Sequence, residues 1–102
     1  ELTTASASKS IESAKFKTEG SKDLALDLKA TYASNEAGAY PLILATYEIV
    51  CSKGYEADTA SAVKSFLTSA VNEGQSSLEE SGYIPLPEGF KKTVTASIDA
   101  IS

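Results

Sequence analysis

Two serine and lysine pairs stand at S-x-x-K spacing, Ser6 with Lys9 and Ser61 with Lys64, and these are the residue types in the chain that pair a nucleophile with a base. On a helix that spacing sets an amine one turn from a hydroxyl, as in penicillin-binding enzymes. Fifteen serines and nine lysines among 102 residues give roughly one such match by chance, and the accompanying S-D-N and K-T-G motifs are missing. Cys51 is the one thiol, and with no histidine in the chain it lacks the usual base that makes a thiolate. Its place inside an apolar run predicts a small buried hydrophobe, or half of a disulfide whose partner lies outside the chain. The acid pairs Asp23 with Asp27 and Glu79 with Glu80 lack the dense oxygen spacing of a calcium loop and read as solvated faces rather than a glycosidase pair. Glycine-rich phosphate cradles are absent. The chain therefore reads as non-enzymatic, with no cofactor and no metal site.

Charge narrows the partners. Fourteen acids face nine lysines and no arginine, a net charge of -5, which argues against phosphate-backbone binding to nucleic acid and against docking through a basic amphipathic helix. With 42% hydrophobic and 23% charged residues, the chain has the composition of one small domain or part of a larger one, not of a disordered tail. No run of about 18 apolar residues exists to span a membrane, and residues 1–22 contain no apolar signal core. A chain with no methionine that starts at Glu1 reads as a piece of something longer.

These residues must be positioned by elements that alternate between helix and strand. Thr3 and Thr4 precede Ala7, Ile11 and Ala14, whose spacings of four and three predict a short helix. Leu24, Leu26 and Leu28 alternate with Ala25, Asp27 and Lys29 as in a half-buried strand. A polar loop over 32–38 leads to Pro41, which suits the start of a strand. Residues 42–51, LILATYEIVC, form a nearly unbroken apolar run, the pattern of a strand buried on both faces. After a turn at Gly54, Asp58 is the expected N-cap of a helix with Val63, Phe66, Leu67, Ala70 and Val71 on one face and Gly74 at its C-cap. Ser76 with Glu79, or Ser77 with Glu80, suits the capping box of a short helix ending near Gly82. The prolines in YIPLP force residues 83–87 to be extended. Phe90, Val94, Ile98 and Ile101 then predict a closing amphipathic helix, packed on the strand at 42–51. The class is α/β, with short helices on a sheet too small to be complete.

The segments AYPLILATYEIVCSKGY at 39–55, AVKSFLTSAV at 62–71 and GYIPLPEGF at 82–90, with ELTTASASKSIESAKF at 1–16 and LALDLKATYAS at 24–34, resemble the C-terminal part of the phosphate-specific solute-binding proteins of ABC importers. The Y-E-I-V-C wording is similar to the actinobacterial branch. This resemblance implies a two-lobed, type II periplasmic-binding-protein-like fold that closes on inorganic phosphate outside the cytoplasmic membrane, periplasmic or lipid-anchored at the cell surface, and delivers it to an ABC permease. It also implies that residues 1–38 end the second lobe and 39–102 complete the first. Gly38, Ala39, Tyr40 and Pro41 are then hinge candidates, since a few element-terminal residues absorb the dihedral change of closure. The family's phosphate ligands come from earlier parts of the chain and none is carried over; the missing arginine fits this, because a guanidinium is the preferred fork for an oxyanion. Self-association of the isolated chain through an open sheet edge is a further expectation. A stand-alone α/β interaction module without catalysis is the alternative reading.

Overall fold

Apart from one isolated bridge, four α-helices and two 3-10 turns carry all the regular structure of the computed structural model, which describes residues 1–102. The helices are α1 (Thr4–Glu12), α2 (Leu28–Tyr32), α3 (Ala57–Val71) and α4 (Glu88–Asp99), and the 3-10 turns are Glu73–Gln75 and Glu79–Ser81. Helix α1 starts where sequence places it: the Thr3 hydroxyl accepts the Ser6 amide at 3.1 Å, and the Ser6 hydroxyl accepts the Thr3 amide at 2.9 Å. This reciprocal pair satisfies two of the donors a helix start leaves open.

The core belongs to α3 and α4. Leu67 and Val71, one turn apart on α3, are buried against Ile98 and Ile101 at the end of α4, with Val63, Tyr55, Leu86 and Val94 packed around them. The i, i+4 spacing makes this stripe, and burial of each large aliphatic contributes about 1.5–3 kcal/mol. Phe66, placed on the same stripe by its sequence position, is 65% exposed. Phe90 turns away from α3 and packs on Phe16, ring centroids 5.7 Å apart. Gln75 ties the region together: its amide donates to the Ala70 carbonyl and accepts the Leu86 amide at 2.8 Å, holding the proline-fixed segment 83–87 against the end of α3. Cap positions differ from expectation by a residue or two. Glu56 rather than Asp58 is the N-cap of α3, Asn72 rather than Gly74 ends it, and the predicted helix before Gly82 is reduced to the two 3-10 turns.

Neither predicted strand forms, so the incomplete sheet is absent. Leu26 makes a single antiparallel bridge with Phe16, flanked by Lys17 N–H to Ala25 O at 2.8 Å and Asp27 N–H to Lys15 O at 2.7 Å. The alternation stops at Asp27 because its carboxylate accepts the Ala30 amide and caps α2, turning Leu28 into a helix start. At the start of the run Pro41, Ile43 and Ala45 are half-buried against the body, whereas from Thr46 to Cys51 every residue is exposed, and Leu42, Leu44 and Ile49 are 72%, 89% and 94% exposed. From Leu44 to Val50 no backbone N–H or C=O bonds to any other part of the protein. A strand exists only through a neighbour's ladder, and these 102 residues supply none. The predicted packing of α4 on this run is accordingly replaced by packing on α3. Cys51, expected to be buried, is exposed at its end.

The molecule carries the cost of that uncovered run. Its accessible surface is 6982 Å², against about 5,500 Å² for a folded monomer of this mass. Its radius of gyration is 14.6 Å, where about 13 Å is usual for 100 residues.

Candidate functional site

The second turn of α1 lies over residues 36–40, and here the four hinge candidates come to rest. Lys9 Nζ donates to the Ala37 carbonyl and stands 3.7 Å from the Glu36 carboxylate. Ser10, only 3% exposed, donates its hydroxyl to the Tyr40 carbonyl at 2.5 Å, with the Ser6 carbonyl 3.2 Å from the same oxygen. The Tyr40 amide donates to that Ser6 carbonyl at 3.0 Å, and the Ala39 amide closes the turn on Glu36 O at 3.1 Å. Gly38 sits in this turn at φ +82°, a conformation that glycine adopts without steric cost, and a Cβ there would lie 3.5 Å from Lys9 Nζ. After Tyr40 the bonds to α1 end. Pro41 and Ile43 close an inverse γ-turn, Ile43 N–H to Pro41 O at 3.0 Å, and the run 42–51 is held to the body by three tyrosine hydroxyls. Tyr32 donates to Ile43 O at 3.2 Å, Tyr47 accepts the Leu26 amide at 3.2 Å, and Tyr55 accepts the Cys51 amide at 2.9 Å.

The catalytic-looking pairs are occupied structurally. Ser6 is the third helical residue of α1, paired with the N-cap Thr3 in the capping box, and Lys9 points its amine at Ala37. Lys64 donates to the Asp99 carbonyl at 3.0 Å, placing a cation at the C-terminus of α4, where the helix dipole favours it. Ser61 and Lys64 border an open groove of about 700 Å³ between α3 and Ile101 that is otherwise lined mainly by small hydroxyl side chains. Among the acid pairs, Asp27 caps α2 and Glu79 accepts from the Thr4 hydroxyl at 2.8 Å. No three His, Cys, Asp or Glu side chains gather to hold a metal ion, and no helix is long and apolar enough to cross a membrane. Sequence reading missed the strap of Lys9 and Ser10 and the tyrosine pins. The usable signal for the strap was a serine on the Ala7 and Ile11 face of a helix, a polar group that requires a partner once buried.

No protein-family model matches the chain, and no solved structure does. Curated relatives do. The chain is 45% identical over 101 residues to phosphate-binding protein PstS 2 of Mycobacterium tuberculosis, 46% identical over 80 residues to PstS 3 of the same species, and 43% identical over 97 residues to PstS 3 of Mycobacterium leprae. Those alignments cover 99%, 78% and 95% of this chain, and only 27%, 22% and 26% of the relatives. The chain thus spans about a quarter of the length of the proteins it matches. Identity at this level across nearly every residue makes it a PstS-type segment, homologous to part of the phosphate-binding proteins of mycobacteria.

Proposed function

We propose that the chain is a scaffold and hinge segment of an extracytoplasmic receptor that binds inorganic phosphate and hands it to an ABC permease. The observation that carries this reading is the 45% identity over 99% of the chain to relatives named for phosphate binding. The receptor has the two-lobed periplasmic-binding-protein fold, with residues 1–38 ending one lobe and 39–102 completing the other. The uncovered run 42–51 supports that placement, because a nearly continuous apolar decapeptide is stable inside a sheet whose neighbours come from the remainder of a longer polypeptide. Crossing between lobes falls at Gly38, Ala39, Tyr40 and Pro41, next to that run.

Phosphate itself is gripped elsewhere in the receptor. The segment has no arginine to fork onto an oxyanion, and its lysines at 9, 64 and 91 already face Ala37, Asp99 and Glu88. Calorimetric titration tests the reading: the full-length parent binds phosphate and the isolated 102-residue chain does not. Tight binding by the isolated chain, or none by the parent, overturns it.

A further inference from the structure

We propose that Lys9 and Ser10 form a strap that locks Ala37 to Tyr40 onto α1, so that bending between the two lobes takes place at Pro41 and Leu42 and not at Gly38. The inference rests on the hinge reading above and narrows it. Positive φ at Gly38 invites the assignment of a flexible joint, yet the glycine is the best-restrained part of the crossover. Three separate bonds converge on it from both sides: Lys9 Nζ to Ala37 O before it, and Ser10 Oγ to Tyr40 O and Tyr40 N–H to Ser6 O after it. Ser10 is buried, so its hydroxyl cannot exchange Tyr40 for water without exposing an unsatisfied carbonyl. The left-handed glycine is a fixed corner that aims the chain across α1.

One residue further on the situation reverses. Pro41 has no amide to tie down, and its own carbonyl is used only in the local γ-turn with Ile43. Its φ is fixed by the ring, which leaves ψ of Pro41 and the dihedrals of Leu42, held only by that single local γ-turn bond, as the softest coordinates between the strap and the apolar run. A pivot between a hydrogen-bonded corner and a run that the sheet of the parent would hold is also mechanically economical, since two residues absorb the change and the flanks on either side move as units.

Amide hydrogen exchange on the full-length parent, with and without inorganic phosphate, tests the proposal. In the wild-type protein phosphate changes exchange at Leu42 and Ile43 and leaves Ala39 and Tyr40 unchanged. Ser10→Ala leaves the Tyr40 amide its bond to Ser6 O but takes the hydroxyl from the Tyr40 carbonyl, so the strap opens more readily by one hydrogen bond of ordinary strength, Tyr40 exchange speeds up about five- to tenfold, and it responds to phosphate. Lys9→Met, a change at an exposed side chain that does not threaten folding, does the same at Ala39 more weakly. A phosphate response at Ala39 or Tyr40 in the wild type puts the pivot inside the strap and overturns the proposal, as does unaltered Tyr40 exchange in Ser10→Ala. Phosphate binding with no exchange change on either side of Pro41 removes the hinge reading, and the pivot with it. In that case the Ser10→Ala effect on Tyr40 shows separately whether the strap exists.

Discussion

The α3–α4 pair and the run 42–51 both carry large aliphatic side chains and meet opposite fates. Leu67, Val71, Ile98 and Ile101 are each no more than 8% exposed, whereas Leu44 and Ile49 are among the most exposed side chains in the chain. What separates them is how each element satisfies its backbone. A helix bonds its own amides and carbonyls, so α3 and α4 need from each other only a matching apolar stripe. An extended run must borrow its hydrogen bonds from adjacent strands, and within this chain it has none to borrow from. The helical pair is a finished unit, and the run lacks the neighbours that would complete a ladder.

The comparison breaks most visibly under a charge placed in the run. Leu44→Lys shifts the stability of the isolated chain by less than about 0.5 kcal/mol, as at any open surface site, but lowers that of the full-length parent by about 3 kcal/mol or more through a buried unpaired charge. Urea denaturation of both forms reads the contrast, and equal small effects in both would mean that the run is never covered. Sedimentation of the isolated chain and its Leu44→Lys variant over a range of concentrations tests whether the exposed apolar run mediates association, with the expected outcome that the charge lowers it.

Leu67→Ala comes next, at about 2–4 kcal/mol. Its cost is the same in the isolated chain and the parent, since its partners are all inside the segment; a much larger loss in the parent would show that α3 packs on further elements. Thr3→Ala removes the cap of α1 and costs about 1 kcal/mol, visible as a lower denaturant midpoint with unchanged slope. The smallest effect belongs to the S-x-x-K lysines. Lys64→Met loses one exposed contact to Asp99 O, worth about 0.5 kcal/mol, and neither it nor Lys9→Met alters hydrolysis of acyl substrates, because both amines serve the backbone.

Legibility followed the same division. The start of α1 was written in Thr3, the α3 stripe in Val63, Leu67 and Val71, and the closing helix in Val94, Ile98 and Ile101, all local periodicities that a helix realises unaided. Alternation at Leu24, Leu26 and Leu28 and the apolar decapeptide were equally plain as patterns, yet their outcome depended on neighbours. Phe66 and Phe90 show the limit within helices: spacing puts a residue near a face, and the partner's shape decides whether it is covered. Cys51 shows it for the run, where an apolar neighbourhood in sequence is not an apolar neighbourhood in space.

Sequence by itself determined helices α1, α3 and α4, the absence of an arginine fork for phosphate, and a resemblance to the phosphate-specific solute-binding proteins. Tertiary structure alone decided that Ser10 and Lys9, 30 and 28 residues before Tyr40 and Ala37, reach across to hold residues 37–40, and that Gly38 is a corner held still. Periodicity is a property of one element and can be read along the chain, whereas a hydrogen bond between distant residues depends on how two elements are folded against each other, which no local spacing encodes.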